Sequence, residues 1–438
     1  MELSLAMIVK NEAGHLGGCL GSAAGLVDEM VVVDTGSTDG TVDVALSHGA
    51  RVGEFVWTDD FSEARNHAIS LCGGDWVLVL DADELLDPAE HLVIRRALDS
   101  PAAPCYRLHV RNYLSGGSFF GPGGAAKAND GRFGPASACS HYISQKALRL
   151  FRNLGGPKYE GRVHETLDPW FERQGHVPHL LGATVHHFGK MDPRKELAKQ
   201  PFYLSLALRD AEGRPDDPLA HANVLQEALT LEDWPTVLRS ARAYLDLRGA
   251  APPLVLMGGA KALLSLGKPV EALDFLAPME GGSDYSPAAL ELRAEILQAL
   301  ERTPEAAGAC LRAIEEDPGF TPSYRRLSMI LDGGGDVEKA RGVLEAGLDR
   351  NPNDPMLWEA LVGLSSKHRD ARVALDAWHA IRAVPTGGQG IWHMLLALLL
   401  KDKGDAGSAL EVLEMGMKAF PGNGELMALK EKITASAP

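Results

Sequence analysis

Gly74-Asp-Trp-Val-Leu-Val-Leu-Asp-Ala-Asp83 is the stretch of the chain that decides its fold. An apolar run bounded by glycine on one side and by acidic residues on the other predicts a buried strand of a parallel α/β sheet. Ligands in such sheets bind beyond the carboxyl ends of the strands. Because residues i and i+2 of an extended segment point the same way, Asp81 and Asp83 are predicted to face one Mg²⁺ or Mn²⁺ ion together. A solvated strand-end turn is the alternative for so short a motif.

Two further strands are predicted upstream, and each ends in polar residues. Leu3 to Val9 is followed by Lys10-Asn-Glu12, and Glu29 to Asp34 is followed by Thr35-Gly-Ser-Thr-Asp-Gly40. Helix-like stretches separate the strands, which indicates the β-α-β alternation of a doubly wound parallel sheet. Alone, the 34–40 segment predicts only a glycine-rich turn and a helix cap. Combined with the acidic strand end further along the chain, it predicts a nucleotide-sugar site.

Four segments in this order resemble the motifs of family 2 glycosyltransferases with the GT-A fold. They are Met7-Ile-Val-Lys-Asn-Glu12, Val31-Val-Val-Asp-Thr-Gly-Ser-Thr-Asp-Gly-Thr41, Asp60-Phe-Ser-Glu-Ala-Arg-Asn66 and Leu78-Val-Leu-Asp-Ala-Asp-Glu84. The resemblance covers about the first 190 residues. It implies that Glu12 and Asp34 contact the nucleoside and that Arg65 contacts the diphosphate region. It also implies that Asp81 and Asp83 bind the metal and the donor.

The competing α/β class with a nucleotide site is the Rossmann dehydrogenase. Its fingerprint, Gly-x-Gly-x-x-Gly, comes directly after the first strand because the backbone must approach the pyrophosphate closely there. The corresponding segment here, Val9-Lys-Asn-Glu-Ala13, contains no glycine. The sequence therefore disfavours a dinucleotide-binding dehydrogenase.

Three later segments resemble the second half of the same family. They are Leu148-Arg-Leu-Phe-Arg152, Tyr159-Glu-Gly-Arg-Val-His-Glu-Thr166 and Ala183-Thr-Val-His-His-Phe-Gly189. The resemblance implies that a late histidine completes the metal site, and His187, which precedes Phe-Gly, matches that position best. A neutral imidazole suits a site with two carboxylates, although a single histidine on a strand is more often a buried hydrogen-bonding residue. His186 and His164 are the other candidates.

An inverting sugar transfer needs a base that takes the acceptor proton while the nucleophile attacks the anomeric carbon. Glu165 is the candidate, because a carboxylate beside a metal-binding cleft can act at neutral pH without an extreme pKa shift. The structural alternative is that Glu165 pairs with Arg162 or caps the 166–173 segment. The commoner family pattern places an aspartate of a Glu-Asp pair in this role, and the chain departs from that pattern.

A glycine-rich segment covers residues 115–142, between strands predicted near Cys105–Tyr113 and Lys146–Arg152. Loops of this size inside compact domains are usually functional or disordered. The segment is predicted to be either an active-site lid, with Phe119 and Phe120 covering a bound sugar or acceptor, or a disordered excursion.

Beyond about residue 200, helical periodicity replaces the strand pattern, and a repeat emerges. Alanines recur at spacings of 34, 34, 34 and 35 residues, at Ala272, Ala306, Ala340, Ala374 and Ala409. Mostly small residues stand twelve positions before them, at Ala260, Ala294, Ser328, Val362 and Ala397. Close packing of two antiparallel helices requires such residues. The pattern resembles tetratricopeptide repeats, whose period is about 34 residues, and a degenerate first unit around Trp234-Pro235 brings the number of helical pairs to about six.

The composition excludes several other classes. A net charge of −16 disfavours nucleic acid as a partner and charge-driven binding to anionic membranes. The chain starts at the first strand and has no apolar run of about 18 residues, so neither a secretion signal nor a membrane span is expected. The five cysteines have no Cys-x-x-Cys spacing, which is typical of reduced thiols. A cytoplasmic chain is expected.

Together these features predict a metal-dependent, inverting hexosyltransferase with Mn²⁺ or Mg²⁺ and a UDP-sugar donor. Residues 1–200 are predicted to form the GT-A domain, an α/β fold with a mostly parallel sheet, and residues 201–438 an all-α tetratricopeptide-like solenoid. A protein or peptide acceptor is expected, because helical repeats bind polypeptides on a concave face. The architecture also resembles peptide S-glycosyltransferases of the sublancin type.

Two other functions remain open at this level. The acceptor is a lipopolysaccharide-core or other surface-glycan sugar in the first, and in the second the chain is a non-catalytic repeat scaffold with a nucleotide-sugar-binding domain. The joint presence of Asp34, Arg65, Asp81 and Asp83 argues against a silent domain. Homodimerisation, or simple bracing of the catalytic domain, is the alternative role for the repeats.

Overall fold

The computed structural model describes the chain except for residues 115–119, 122–123, 126, 138, 140, 190–192, 250, 280–285, 353, 369–390 and 437–438. The chain divides into two compact units, Met1–Gly258 and Gly259–Pro438. The first unit therefore includes the sheet and the helices that follow it up to residue 258. The boundary predicted at residue 200 follows the change in composition and stays a prediction.

The first unit is built on a mixed sheet with the strand order β3-β2-β1-β4-β10-β6-β11-β5, to which β9 adds by pairing with β10. The first four strands of this order are parallel neighbours, whereas β10 is antiparallel to both β4 and β6. The strands are β1 (Leu3–Val9), β2 (Glu29–Asp34), β3 (Arg51–Glu54), β4 (Trp76–Val79), β5 (Glu84–Leu86), β6 (Cys105–Leu114), β7 (Phe120–Gly121), β8 (Gly124–Ala125), β9 (Lys127–Ala128), β10 (His141–Arg152) and β11 (His179–His187). The predicted GT-A class is confirmed, with a mixed sheet in which β6 and β11 form a further parallel pair and β10 and β5 run antiparallel to their neighbours.

Helices cover both faces of this sheet. In β1, Leu5 and Met7 belong to one buried cluster with Leu20, while Ala6 belongs to a second cluster with Ile69. Alternate residues of the strand thus enter different cores, which explains why β1 is apolar throughout. The helices of the unit are α1 (Leu16–Ala23), α2 (Thr41–Ser47), α3 (Phe61–Ser70), α4 (Pro88–Asp99), α5 (Asp168–Arg173), α6 (Pro193–Gly213), α7 (Pro218–Thr230) and α8 (Trp234–Arg248).

Part of the 115–142 segment lies outside the described residues, Phe119 included. The described part contains the two-stranded β7–β8 ladder and β9. The prediction of a lid or a disordered excursion is untested.

The remaining helices continue a regular repeat. They are α9 (Pro253–Ser265), α10 (Pro269–Leu276), α11 (Pro287–Ala299), α12 (Thr303–Glu316), α13 (Thr321–Gly333), α14 (Val337–Arg350), α15 (Pro355–Lys367), α16 (Ile391–Asp402), α17 (Ala406–Ala419) and α18 (Gly424–Ser436). The first helices of successive pairs, counted from α7, begin at residues 218, 253, 287, 321, 355 and 391. Four of these six begin with proline, whose fixed φ and missing N–H suit the first turn of a helix.

The small residues of the repeat lie where the two helices of a pair meet. Ala272, Ala306, Ala340 and Ala409 are fully buried, and Ala374 lies outside the described residues. The positions twelve residues earlier, Ala260, Ala294, Ser328, Val362 and Ala397, are also buried. The predicted tetratricopeptide-like solenoid is therefore confirmed. Among the described residues, no helix combines the length and the apolar character that a membrane crossing requires.

His393 on α16 is a titratable group inside the core of the second unit. Its residue surface is 2% exposed, and its ring lies edge-on to Phe420 with the centroids 6.0 Å apart. A Cβ placed on Gly416 would come within 2.9 Å of the imidazole, so glycine is what lets α17 approach this ring. Burial lowers the pKa of His393 to about 4.

The stability of the chain is expected to fall on acidification because of His393. An unfolded histidine has a pKa of about 6.5 and takes up a proton at pH values where the folded one stays neutral. The free energy of unfolding should therefore drop as the pH falls from about 6.5 towards 4, by about 2 kcal/mol at pH 5 from this residue alone. Urea titrations followed by circular dichroism at pH 7.5 and pH 5 would show a smaller loss for His393→Leu. An equal loss in both proteins contradicts the assignment.

Candidate functional site

Polar loops meet at the carboxyl ends of β1 and β2, which are adjacent in the sheet. Asn11, directly after β1, has a φ of +56°. Its Oδ1 accepts a hydrogen bond from the Thr38 N–H at 2.7 Å, and its own N–H donates to Ser37 Oγ at 2.8 Å. The loop after the first strand is thus fastened to the loop after the second. This fixes one wall of a cleft beyond the sheet edge.

Glu12 and Asp34, the predicted nucleoside contacts, lie on these two loops. The Asp34 carboxylate accepts hydrogen bonds from the Gly36 and Ser37 N–H groups, both at 3.0 Å. Gly36 has a φ of +104°, which only glycine adopts readily. The Glu12 carboxylate lies 3.1 Å from His15 Nδ1. The structure brings both acids to neighbouring strand ends, and their contact with a nucleoside stays a prediction.

The Asp81-Ala82-Asp83 segment is a turn. The Glu84 N–H donates to the Asp81 carbonyl at 3.0 Å, and the Asp81 N–H donates to Glu84 Oε2 at 2.8 Å. The expectation that this segment continues as extended chain, with both aspartates pointing the same way, is wrong. The turn sends the two carboxylates to different partners.

Asp81 joins a buried charge cluster, defined as Arg65, Asp81, Glu84, Arg149 and Glu165. Arg65 Nη2 donates to Asp81 Oδ1 at 2.7 Å, and Arg65 Nε donates to Glu165 Oε1. Arg149 Nη2 lies 3.2 Å from Asp81 Oδ2 and 2.6 Å from Glu84 Oε1. Each guanidinium therefore bridges two carboxylates, and Asp81 is held by both.

The surroundings of the cluster shift the pKa values of Asp81 and Glu84 in opposite directions. Burial by itself would raise the pKa of Asp81, but the guanidinium groups of Arg65 and Arg149 outweigh it and hold this pKa far below its usual value. Burial raises the pKa of Glu84, the charge of Asp81 adds to this, and Arg149 opposes both. Asp81 is thus paired with two arginines, whereas Asp83 makes no ion pair with either of them.

Arg65 lies on α3, which begins where the Asp60 side chain accepts a hydrogen bond from the Glu63 N–H at 3.2 Å. The guanidinium carbon lies 5.6 Å from the centre of the Tyr159 ring. Among the described residues, Arg65 Nη1 is buried and has no hydrogen-bond partner. Because an unsatisfied charged donor is costly, this atom fits a residue that awaits an anionic ligand. Its contact with a diphosphate stays a prediction.

Asp83 and His187 are brought together by strand pairing. His187 at the end of β11 is the ladder partner of Glu84 in β5, and its Nε2 lies 3.4 Å from Asp83 Oδ1. On the other side of the ring, Nδ1 lies 2.7 Å from Asn112 Oδ1, so Nδ1 donates to Asn112 and Nε2 is the nitrogen that faces Asp83. Burial would lower the pKa of His187, but its hydrogen bond to Asp83 and the charge of Glu84 raise it above its usual value.

This pair fits a shared cation. A lone pair on Nε2 that faces a carboxylate oxygen is unfavourable unless a proton or a metal ion lies between them, and an acceptor on the far nitrogen is the usual support of a metal-binding histidine. Only glycine fits at position 189 beside this pair, since a Cβ there would lie 2.7 Å from His187 Nε2 and would also collide with the Asp83 carboxylate. Within the described part of the chain, no group of three metal-ligating side chains is assembled. Metal binding by Asp83 and His187 stays a prediction, whereas the Asp81 carboxylate is occupied by two arginines.

The two other histidine candidates have different partners. His186 is buried, its Nδ1 lies 2.8 Å from the Tyr113 hydroxyl, and its ring stacks on Tyr113. This is the buried hydrogen-bonding histidine foreseen as the alternative. His164 is paired with Glu227 on α7.

Glu165, the candidate base, is 12% exposed at its side chain and accepts the hydrogen bond from Arg65 described above. The expected alternative pairing with Arg162 does not occur, because the Arg162 guanidinium reaches the Asp59 carbonyl at 3.4 Å and Asp60 Oδ2 at 3.9 Å. The catalytic role of Glu165 stays a prediction.

Three residues of the site were not assigned a role from the sequence. Arg149 could have been found, because a charged residue between Leu148 and Leu150 on a central strand needs buried partners. Glu84 directly follows the Asp81-Ala82-Asp83 motif, but this position alone indicates a role at the site only weakly. Asn112 gave no signal in the sequence, because it meets His187 only through the pairing of β6 with β11.

Part of the chain is similar to known glycosyltransferases. Glycosyl transferase family 2 matches residues 4–116. An uncharacterized glycosyltransferase of Rickettsia felis is 41% identical over 217 residues, which cover 48% of this chain and 70% of that protein. The SPbeta prophage-derived glycosyltransferase SunS of Bacillus subtilis is 34% identical over 168 residues, covering 37% of this chain and 34% of SunS.

A TPR repeat-containing protein of Synechococcus elongatus is 38% identical over 167 residues, covering 38% of this chain and 36% of that protein. The match with this protein, like that with SunS, thus spans about a third of the relative's length.

A half-parallel sheet with polar strand-end loops and an acidic turn at its carboxyl edge defines the GT-A class of α/β domains. The helical repeats after it are a second, separate architecture. The chain belongs to glycosyltransferase family 2, with its family domain fused to tetratricopeptide-like repeats.

Proposed function

We propose that the chain is a metal-dependent, inverting glycosyltransferase that moves a hexose from a UDP-sugar to a protein or peptide. The observation that carries the proposal is the pairing of Asp83 with His187 next to the buried charge cluster, at the carboxyl edge where β1, β2 and β4 end. Membership of the family supports sugar transfer, and the donor, the metal and the acceptor are the proposed parts.

The charge balance of the site supports a metal requirement. Three carboxylates, Asp81, Glu84 and Glu165, contact the two guanidinium groups of Arg65 and Arg149, and Asp83 adds a fourth carboxylate beside His187. A donor diphosphate is itself anionic and would be repelled by a site with excess negative charge. Asp83 and His187 are the residues that would hold Mn²⁺ or Mg²⁺. Such an ion supplies charge neutralisation of the diphosphate and Lewis-acid assistance to the leaving oxygen.

The protein groups have separate tasks in this proposal. Arg65 Nη1 donates to a phosphate oxygen, while Nε and Nη2 keep Glu165 and Asp81 in place. Asp34 and Glu12 line the nucleoside end of the cleft. Glu165 takes the proton of the acceptor nucleophile as the bond to the anomeric carbon forms.

A polypeptide acceptor is favoured by the repeats. Stacked helical pairs of this kind build an extended concave surface suited to a chain-like ligand. The rival acceptor, a sugar of a surface glycan, needs no such surface. A non-catalytic scaffold is disfavoured, since it would not need buried arginines and carboxylates arranged around an unsatisfied guanidinium nitrogen.

Release of UDP from a UDP-sugar is expected only when a divalent cation is present. Purified chain would be incubated with a panel of UDP-sugars and Mn²⁺ or Mg²⁺, and free UDP would be measured with and without EDTA. Loss of turnover in EDTA and its return with excess Mn²⁺ supports the metal role, and undiminished turnover in EDTA contradicts it.

In the same mixtures, intact mass of co-expressed candidate polypeptides identifies the acceptor. A sugar-sized mass increment on a polypeptide supports the proposed acceptor class. Transfer that occurs only to an oligosaccharide supports the surface-glycan alternative.

A further inference from the structure

The segment that carries Glu165 is a closed loop, Tyr159–Thr166. Its ends are joined because the Glu160 N–H donates to the Thr166 carbonyl at 2.9 Å and the Thr166 N–H donates to the Glu160 carbonyl at 3.0 Å. The Arg162 carbonyl accepts from the Phe61 N–H at 3.0 Å. One side of the loop is thus attached to the start of α3, the helix that carries Arg65.

The other side of the loop is attached to α6 and α7. Val163, at the tip of the loop, is 5% exposed and packs in one buried cluster with Leu206 and Ala207 of α6 and Val224 of α7. Asn223 of α7 is also buried, and its Nδ2 donates to the Val163 carbonyl at 3.1 Å. The tip is therefore held by apolar contact and by a side-chain hydrogen bond from the same helix.

Glu227 lies one turn further along α7 and contacts the next residue of the loop. Its Oε1 is hydrogen-bonded to His164 Nε2, and its residue surface is 3% exposed. His164 has a φ of +53°, a region that residues with a Cβ seldom occupy. The His164 imidazole is held in this conformation between Glu227 and Gln226, whose Nε2 lies 3.1 Å from His164 Nε2.

A carboxylate is an unexpected choice for Glu227 if its role is only to pack. Its second oxygen, Oε2, is buried without a hydrogen-bond partner among the described residues. Burial of an unsatisfied carboxylate oxygen is unfavourable, and an apolar side chain at this site would avoid that penalty. Departures of this kind from good packing are typical of residues with a functional role.

His164 and Glu165 are adjacent and bond in different directions. His164 is bonded to α7 through Glu227, and Glu165 is bonded to α3 through Arg65. The peptide between them is therefore restrained from both sides. We propose that Glu227 and Asn223 are positioning residues that hold the 159–166 loop so that Glu165 meets Arg65 and the acceptor proton. This inference rests on the role given to Glu165 in the proposed function.

The test is a double-mutant cycle on the full-length chain, with kcat and KM measured from UDP release. Glu227→Ala is expected to lower kcat about tenfold while changing the donor KM less than about twofold. In a Glu165→Gln background, the same substitution should lower kcat less than about twofold, because the group that it positions is already inactive. Glu227→Gln can still accept from His164 Nε2 and should retain most of the wild-type kcat.

Two further variants serve as a control and as an independent test. Glu212→Ala removes an exposed carboxylate of α6 and should keep the wild-type kcat. Asn223→Ala removes only the bond to the Val163 carbonyl, and it should lower kcat about threefold even where Glu227→Ala fails to fold. The inference is overturned if Glu227→Ala lowers kcat equally in the wild-type and the Glu165→Gln backgrounds. It is also overturned if Glu227→Ala and Asn223→Ala change only KM.

Amide hydrogen exchange separates this inference from the proposed function. The Glu160 and Thr166 amides should exchange faster in Glu227→Ala and Asn223→Ala than in the wild type, and unchanged exchange overturns the positioning role. A wild-type chain without turnover, or a Glu165→Gln variant with wild-type kcat, contradicts the proposed function instead. In either case the exchange rates still decide whether α7 holds the loop.

Discussion

Replacement of Asp83 with alanine is expected to reduce sugar transfer by at least about 10³-fold, because it removes the carboxylate that faces His187 and would carry the metal ion. The fold should persist, since Asp83 lies in a strand-end turn outside the core and is one quarter exposed at its side chain. Steady-state kinetics with saturating Mn²⁺, together with calorimetric titration of the UDP-sugar, would measure the loss of turnover and of metal-dependent binding.

Asp99→Ala is a matched control for this change, because Asp99 is an exposed aspartate at the end of α4. It should behave as the wild type in both assays. Metal-dependent donor binding that survives in Asp83→Ala would remove Asp83 from the metal site, and the role of His187 would then lose its main support.

Glu165→Gln is expected to lower turnover by roughly 10²- to 10⁴-fold with little change in donor affinity, the loss typical of a missing general base. The glutamine oxygen can still accept the hydrogen bond from Arg65 Nε, so the loop and the charge cluster should keep their geometry. Single-turnover kinetics would separate the chemical step from donor binding.

Glu160→Gln is the matched control for this second change. Glu160 belongs to the same loop, but its side chain pairs with Arg173 at the surface, where ion pairs contribute little. Wild-type turnover is expected. A loss of less than about tenfold in Glu165→Gln would leave Glu165 as a partner of Arg65 only.

The sequence predicts well what depends on local periodicity. The apolar runs of β1, β2 and β4 are buried strands because each stretch must enter a core on both faces. The 34-residue spacing of small residues predicts the helical pairs, since each unit packs two helices together through small residues at the same positions. Neither inference needs knowledge of distant contacts.

The sequence does not predict side-chain contacts between residues that are far apart in the chain. The sequence offers Arg162 as the neighbouring partner of Glu165, yet the partner in the structure is Arg65, 100 positions away. An Asp-x-Asp pattern predicts equivalent roles for Asp81 and Asp83, because the turn that Glu84 closes is not visible in that pattern. The pairing of β10 with β4 then brings Arg149 to Asp81, and strand pairing of this kind cannot be deduced from spacing alone.

The attachment of α7 to the loop of Glu165 bears on how such chains diversify. Recombination that exchanges the repeats of one enzyme for those of another would have to join the genes beyond α8. A junction at the composition change near residue 200 would separate Asn223 and Glu227 from the loop that they contact. The first helical pair should therefore be inherited together with the transferase domain, because α7 holds the loop of Glu165. Engineered chimaeras that exchange the repeats meet the same limit, since Asn223 and Glu227 must stay with the loop that they contact.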